Sequence, residues 1–330
     1  MLQKSCGNAS GIGLHLAPMV DRRLRIVFMG TPGFALPSLQ FLLDAGYPVV
    51  AVVTAPDKPG GRGMKQMISS PVKTFAIEHS IPVLQPENLK SKDFIQALAS
   101  YEADFQIVVA FRMLPEIVWK MPPMGTMNLH GSLLPAYRGA APIQWAIING
   151  DKVTGVTTFR LQHAIDSGEI MLQREIPILD QDDAGMLHDR MMYIGAPLVV
   201  SSVDLLSSGE AKTIKQDQAA VSHAPKIYHY DAHIDWTKSA SEIYNLIRGM
   251  SPFPGAWTLL DGQELKIQKS IIFNDEKSGS PGKVFVKDKH LLVQTGTGSI
   301  ELIEVQLAGK RKMSVKDFLN GFTIRDWSLT

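Results

Sequence analysis

Residues 25–46, RIVFMGTPGFALPSLQFLLDAG, decide the fold of this chain. They begin with a short β-rich run, Arg25–Met29, which a glycine-containing turn separates from a segment with leucines at helical spacing, Ala35–Ala45. Gly46 is placed to end this helix, and Val49–Thr54 follows as a second apolar strand. A strand, a helix and a strand in this order predict two parallel strands joined by a crossover helix.

The same alternation continues to about Leu206. Because alternating strands and helices form parallel sheets that are covered on both faces, the fold class is α/β. Further strands are expected at Pro82–Leu84, Phe105–Ala110, Gly125–His130, Thr154–Arg160 and Ile170–Ile178. Further helices are expected at Val72–His79, Lys92–Tyr101 and, after an N-cap at Asp183, through about Leu206.

The pattern changes after a polar segment, Ser207–Ser222, that lacks periodicity. Ser239–Glu242 has the form of a capping box before a short helix. Short strands then follow in about 100 residues, which is typical of a small β-barrel such as an OB-fold. These strands are Trp257–Leu260, Leu265–Ile272, Lys283–Val286, His290–Thr295 and Ile300–Leu307. We therefore expect an unstructured leader over 1–22, a first domain over 23–206, a linker over 207–224 and a C-terminal domain over 225–330.

Composition excludes several classes of protein. The chain has 330 residues with 45% hydrophobic content, which is too high for a disordered protein. No apolar run approaches the ~20 residues of a membrane span. The formal net charge is +1, so a polyanionic partner must be bound by a local basic patch. The one cysteine, Cys6, excludes a disulfide framework and indicates a reducing compartment, so we expect a cytoplasmic protein.

The stretch richest in chemistry is residues 128–143, NLHGSLLPAYRGAAPI. Asn128 and His130 are two apart on an expected strand, so they share one face at its carboxyl end, where open α/β sheets bind ligands. An amide donor and an imidazole suit acyl-type transfer, because one stabilises an oxyanion and the other moves protons. Asp166, in the loop IDSGEI, is placed to orient the imidazole. The alternatives are a buried Asn and His that satisfy backbone groups, and a turn-forming Asp.

Two other patterns point less clearly to function. Gly30 and Gly33 follow the first strand, but the spacing is not that of a dinucleotide fingerprint, so a plain turn is favoured. His223, His229 and His233 form the densest histidine cluster. They fall in the linker and at the start of the next domain, where nothing fixes ligand geometry, so solvated side chains are favoured over a metal site.

Taken together, the segments NLHGSLLP, YRGAAPI, GVTT and IDSGEI resemble the formyltransferases that use 10-formyltetrahydrofolate. Other segments resemble the members of that family that act on methionyl-tRNA. These are Phe28–Pro32, Ala55–Lys73, Ala224–Ile227, Ile247–Trp257 and the tail around Gly309–Met313. The resemblance covers about residues 24–325. It implies a Rossmann-like, mostly parallel sheet as the catalytic domain, followed by an OB-like domain that binds tRNA.

The resemblance also assigns the site. It implies a catalytic trio of Asn128, His130 and Asp166. Its tetrahydrofolate site would comprise Ser132, Leu133, Leu134 and Pro135, with a pterin wall at Ala110, Phe111, Met113 and Leu114. tRNA contacts are expected from Lys58, Arg62 and Lys65 in one loop and from Lys310, Arg311 and Lys312 near the C-terminus. This chain departs from many relatives at Arg112, where they have Gly, and at Ala136, where they have a basic residue.

The implied reaction moves a formyl group from 10-formyltetrahydrofolate to the amine of methionyl initiator tRNA, with no metal and with the enzyme as a monomer. The first alternative is the same chemistry on another amine, such as a ribonucleotide or an amino sugar. Against it, the Ala55–Lys73 loop has four basic residues and one acidic residue. The second alternative is a folate- or RNA-binding protein without catalysis, and the complete trio argues against it.

Overall fold

A computed structural model describes residues 20–60, 66–273, 279–287, 290–321 and 327–330. The strands of the N-terminal half are β1 (Ile26–Gly30), β2 (Val49–Val53), β3 (Lys58–Gly60), β4 (Gln66–Ile68), β5 (Val83–Leu84), β6 (Phe105–Val109), β7 (Thr126–His130), β8 (Arg138–Gly139), β9 (Val153–Arg160) and β10 (Ile170–Pro177). Its helices are α1 (Leu36–Asp44), α2 (Pro71–Glu78), α3 (Lys92–Ala99), α4 (Glu116–Trp119), α5 (Pro142–Ile148) and α6 (Ala184–Ser207).

Beyond α6 the described chain contains shorter helices and further strands, of which the first pairs in parallel with β8 and the others are antiparallel. The strands are β11 (His223–Ala224), β12 (Ala256–Leu260), β13 (Gln263–Phe273), β14 (Val284–Lys287), β15 (His290–Gln294), β16 (Ser299–Leu307) and β17 (Met313–Ser314). The helices are α7 (Ala240–Met250) and α8 (Val315–Gly321). Within the part of the chain that the structure describes, no helix is both long enough and apolar enough to cross a bilayer.

The main sheet confirms the predicted α/β class. Its strand order is β10-β9-β7-β6-β1-β2-β5. The strands β7, β6, β1, β2 and β5 are parallel to one another, β9 pairs antiparallel with β7, and β10 pairs antiparallel with β9. Side chains of β1 alternate between two buried cores. Ile26 and Phe28 pack into the core that contains α1 and α6, whereas Val27 and Met29 pack into the core that contains α3. Both faces of the sheet are therefore covered.

The strand order creates a crevice at one edge of this sheet. Strand β1 has β2 on one side and β6 on the other, so successive connections leave it in opposite directions. Ligands bind at such a switch point, outside the carboxyl ends of the strands. Strand β7 pairs with β6 and ends at His130. The sheet therefore places Asn128 and His130 beside this crevice.

The C-terminal strands form an antiparallel sheet in the order β12-β13-β16-β15-β14, with β17 paired to β16. The final residues close this sheet into a barrel. Thr330 exchanges backbone hydrogen bonds with Leu259 of β12, while Val284 of β14 donates to the Trp327 carbonyl. The predicted capping box is confirmed, because the Ser239 side chain accepts from the backbone of Glu242 and the Glu242 side chain accepts in return.

A buried polar contact joins the two halves. Arg248 of α7 donates to the carbonyl oxygens of Leu179 and Asp182, which precede α6. Burial lowers the pKa of the Arg248 guanidinium from its ordinary value. Helix α7 also packs against α5, where a Cβ on Gly249 would lie 2.5 Å from the Ile148 side chain. The contact between the domains is therefore close-packed.

The segment expected to be a linker is built into the catalytic half. Helix α6 extends through Ser207, and Ile214 then exchanges backbone hydrogen bonds with Ile170 of β10. Gln216 is only 7% exposed, and β11 pairs with β8. Two polar side chains of the segment bind the catalytic half, since Gln216 hydrogen-bonds to Arg138 and Asp166 and Ser222 accepts from the N–H of Tyr137.

We predict that Trp327→Ala destabilises the barrel. Trp327 is buried beside Phe318, with 6.0 Å between ring centroids, so truncation leaves a cavity where the barrel closes. We expect the free energy of unfolding to fall by ~3–5 kcal/mol in denaturant titrations. Ser328→Ala, at an exposed neighbouring position, is the control. Equal stability of the two variants would contradict this account of closure.

Candidate active site

Asn128 and His130 project into one cavity, as their spacing on a strand predicts. The cavity has a volume of about 460 Å³, and Pro32, Phe34 and His188 also line it. His130 is 6% exposed and meets the Phe159 ring edge-on. The imidazole is therefore packed in place at the end of β7, with one side open to the cavity.

Both nitrogens of His130 face polar groups. Nε2 lies 2.8 Å from the carbonyl oxygen of Tyr137, which can only accept, so Nε2 carries a proton. Nδ1 lies 3.8 Å from Oδ2 of Asp166, close enough for charge attraction but too far for a hydrogen bond. Nε2 therefore donates its proton to the protein backbone and not to a group in the cavity.

Tyr137 is held firmly where it meets the imidazole. Its backbone has a φ of 60°, its N–H donates to Oγ of Ser222, and its hydroxyl donates to Oδ2 of Asp151 at 2.6 Å. Burial and this hydrogen bond raise the pKa of Tyr137 to about 12. The phenol therefore remains a hydrogen-bond donor at neutral pH and fixes the loop that carries the carbonyl.

Asp166 is held both by its side chain and by its backbone carbonyl. Its Oδ2 accepts from the backbone N–H of Gly139 at 2.9 Å, and its carbonyl oxygen accepts from Nε2 of Gln216 at 2.8 Å. The residue has a φ of 49°, in the left-handed region that Asp tolerates better than most residues. These contacts bring the third member of the predicted trio beside His130.

The amide of Asn128 is the open polar group of the site. Its Oδ1 is buried and has no hydrogen-bond partner among the described residues. Leaving such a group unpaired costs about 1–3 kcal/mol, which a ligand regains by pairing with it. A carboxamide presents both an acceptor and two donors, so it can bind either an amine N–H or a developing oxyanion.

A second cavity adjoins the first and shares Asn128 with it. Its volume is about 340 Å³, and its walls are mostly apolar. Phe111, Met113 and Leu114 line it, and Ala110 lines the first cavity, so the residues expected for the pterin wall are at the site. Arg112 also lines this cavity, and its guanidinium donates to the backbone carbonyl of Glu87.

The other residues expected to bind folate lie behind the site. Ser132 is fully buried, and its hydroxyl donates to the Ala136 carbonyl at 2.6 Å. The backbone N–H and carbonyl of Leu134 bind Thr157 and Gln173, and Leu133 packs near Gly155. None of Ser132–Pro135 is in the walls of the two cavities. Their direct contact with folate stays a prediction, and in this structure Ser132–Leu134 bind and pack against β9 and β10.

The residues expected to bind tRNA are divided between two surfaces. Lys58 is exposed on the hairpin of β3 and β4, while Arg62 and Lys65 lie outside the described residues. The base of the hairpin is fixed by Asp57, whose pKa is lowered by hydrogen bonds from Lys73 and Gln85. Lys310, Arg311 and Lys312 are exposed in the C-terminal domain, and Lys312 pairs with Glu304 at 2.7 Å.

Sequence reasoning missed four residues that hold the trio, which are Tyr137, Arg138, Gln216 and Ser222. Arg138 is buried and donates to the side chain of Gln216, and the Tyr137 carbonyl and Ser222 complete the arrangement. The sequence offered one indication of these contacts, the arginine directly before Gly139. Within the described residues, no group of three or more His, Cys, Asp or Glu side chains is placed to hold a metal ion.

Comparisons with known proteins match this geometry. A family profile described as formyl transferase matches residues 24–203, and one described as the formyl transferase C-terminal domain matches residues 226–323. A methionyl-tRNA formyltransferase of Bacteroides fragilis is 48% identical over 93% of this chain and 98% of its own length. The chain belongs to the methionyl-tRNA formyltransferase family. A second member, from Azobacteroides pseudotrichonymphae, is 50% identical over 92% of this chain and 97% of its own length.

Solved structures of more distant proteins share the fold of this family member. A sugar 3N-formyl transferase, WlaRD, superposes with a TM-score of 0.65 at 21% identity, over 87% of this chain and 99% of its own. HypX from Aquifex aeolicus, in complex with tetrahydrofolic acid, gives 0.63 at 17% identity over 92% of this chain. The match spans about half of HypX, 50% of that chain. At these identities the likeness concerns the fold alone.

We predict that Gly139→Ala impairs the site. Gly139 has a φ of 127°, and a Cβ there would lie 2.4 Å from the Ala224 carbonyl, so β11 and the N–H bound to Asp166 must shift. We expect kcat to fall about 10-fold or more, because small displacements of catalytic groups cost large factors in rate. Gly321→Ala, whose added Cβ lies within 4 Å of no atom of the described residues, is the control. A wild-type kcat in Gly139→Ala would show that this close approach does not hold the site.

Proposed function

We propose that the protein transfers the formyl group of 10-formyltetrahydrofolate to the α-amino group of methionyl initiator tRNA, giving N-formylmethionyl-tRNA. The observation that carries this is the buried Oδ1 of Asn128, which has no hydrogen-bond partner among the described residues and lies where two cavities adjoin, beside the His130–Asp166 pair. Family membership supports the same reaction, because the relatives at 48–50% identity are named methionyl-tRNA formyltransferases.

The two cavities suggest how the substrates are arranged. The apolar cavity lined by Phe111 and Leu114 suits the pterin of the folate. The cavity lined by Phe34 and His188 suits the methionyl group, so that the amine and the formyl carbon meet at Asn128. Folate is a co-substrate here and supplies the activated carbon. HypX, which shares the fold, was solved with tetrahydrofolic acid, and this supports the assignment of the folate.

The reaction balances without a metal. The amine lone pair forms a bond to the formyl carbon, and the C=O electron pair becomes an oxyanion. Asn128 donates its amide N–H to this oxyanion. The imidazole of His130, oriented by Asp166, lies next to the reacting carbon and stabilises the negative charge that develops there. Collapse breaks the bond from carbon to N10 of the folate. The amine loses one proton, which a water bound at Asp166 relays, and N10 gains one.

Formyl transfer to a sugar or nucleotide amine is the runner-up. WlaRD shows that this fold also supports a sugar formyl transferase, but at only 21% identity. Purified protein assayed with 10-formyltetrahydrofolate and methionyl initiator tRNA, free methionine or small amines decides between these substrates. Formylation of a small amine in preference to the tRNA would overturn the proposal.

We also propose that the enzyme acts in the cytoplasm as a monomer. The trio and both cavities are built from one chain, so the site needs no second copy. Cys6 as the sole cysteine fits a reducing compartment. Sedimentation of the pure protein at assay concentrations tests the monomer, and a dimer that dissociates with loss of activity would contradict it.

We predict that Asn128→Ala or His130→Ala lowers turnover by ~10²–10⁴-fold, because each removes a group beside the reacting carbon. Folding and folate binding should be retained, as measured by circular dichroism and by calorimetric titration with folate. His79→Ala, at an exposed histidine that caps the C-terminal end of α2, is the control. If His130→Ala keeps about a third of wild-type turnover or more, its catalytic role is wrong.

We predict that Arg62→Ala sharply lowers kcat/KM for methionyl initiator tRNA and leaves the Kd for folate unchanged. Arg62 lies between two glycines, and its planar, permanently charged group suits insertion at the end of an acceptor stem. Lys65→Ala should act more weakly and mainly flatten the salt dependence of binding. Arg23→Ala, at an exposed arginine elsewhere, is the control.

The assay for Arg62 compares initiator tRNA with a variant whose first acceptor pair is fully Watson–Crick. An Arg62→Ala enzyme with unchanged activity and unchanged preference between these tRNAs would refute the assignment.

A further inference from the structure

Gln216 lies buried between two loops of the active site. Its Oε1 accepts hydrogen bonds from Nε and Nη2 of Arg138 at 3.0 and 2.6 Å. Its Nε2 donates to the carbonyl oxygens of Asp166 and Gly168 at 2.8 and 2.7 Å. One carboxamide thus uses its acceptor on one loop and both of its donors on the other.

These two loops are the ones that hold His130. Arg138 directly follows Tyr137, whose carbonyl accepts the Nε2 proton of the imidazole. Asp166 faces the Nδ1 nitrogen, and its side chain also binds the backbone of Gly139. A single buried side chain therefore connects the two groups that determine how the imidazole is turned.

We propose that Gln216 is a positioning residue for His130. By binding both loops, Gln216 sets the separation between the Tyr137 carbonyl and the Asp166 carboxylate. The proposal rests on the formyl transfer proposed above. Gln216 does not line either cavity, so it acts through its neighbours and not on a substrate.

Only a carboxamide satisfies all of these contacts. Gln216→Glu keeps an acceptor for Arg138 and adds an attractive charge, but it places carboxylate oxygens against two carbonyl oxygens. The Arg138 side is retained while the Asp166 side is lost. Gln216→Met keeps the length of the side chain and removes every hydrogen bond, which leaves the buried guanidinium of Arg138 without this partner.

The Asp166 loop needs this support because of its backbone. Asp166 adopts a φ of 49°, and the hydrogen bond from Nε2 of Gln216 to the backbone carbonyl of Asp166 fixes that peptide. Without the bond, the residue is free to relax toward the more favourable extended region. That relaxation would move the carboxylate away from His130.

The test separates rate from binding. We expect Gln216→Glu to lower kcat by ~10–100-fold, since a misplacement of about 1 Å costs this much, with KM for both substrates unchanged. The matched control is Gln294→Met. Gln294 is also buried, and its Nε2 donates to the carbonyls of Thr295 and Gly298, but in the hairpin of the C-terminal barrel. It should lose thermal stability without any loss of kcat.

A second readout does not depend on activity. The ring ¹⁵N shifts of His130, assigned with His130→Ala, should change in Gln216→Glu and stay constant in Gln294→Met. If the wild-type protein transfers no formyl group, the proposed function fails, but this spectrum still reports whether Gln216 positions the ring.

Ser222→Ala gives a milder variant in case Gln216→Glu does not fold. Ser222 is exposed, and its hydroxyl accepts from the Tyr137 N–H on the opposite side of the same arrangement. We expect a smaller loss of kcat with unchanged KM. Wild-type kcat and unchanged His130 shifts in the folded variants would overturn the proposal, as would a loss confined to KM.

Discussion

The imidazole of His130 is held from two sides by groups on different loops, and the active site depends on both. One is a backbone carbonyl that takes the Nε2 proton, and the other is a carboxylate 3.8 Å from Nδ1. Tyr137 and Asp166 both adopt a positive φ, which residues other than glycine rarely do. Neither loop is held in this state by its own sequence, so the surrounding contacts must supply the restraint.

Much of the sheet could be predicted because its signals are local. Short β-rich runs predicted β1 and β7 to within a residue, and Asp183 caps α6 as its position suggested. The same alternation placed Asn128 and His130 on one face, since side chains two apart on a strand point the same way. Local geometry therefore reached as far as the first two groups of the site.

The contacts that orient the trio could not be found in this way. Gln216 binds Asp166 and Arg138 across 50 and 78 residues of chain, and no periodicity links them. The contact between Nε2 of His130 and the Tyr137 carbonyl could not be predicted either, because it depends on a loop conformation that residue types do not reveal. The burial of Ser132 is similar, since it depends on packing against β9.

Residues Ile214–Ala224 form a strap that hydrogen-bonds to β10 and pairs with β8, and the position of this strap bears on how the two halves of the enzyme can be recombined. The family profiles leave it out, because one match ends at residue 203 and the next begins at residue 226. By contacts, however, the strap belongs to the catalytic half. A chimera joined directly after α6 would inherit a foreign strap with its new C-terminal domain, whereas a junction after Ala224 would carry the native one. The folded unit that can be exchanged therefore ends after Ala224, whereas the match to the first family profile ends at residue 203.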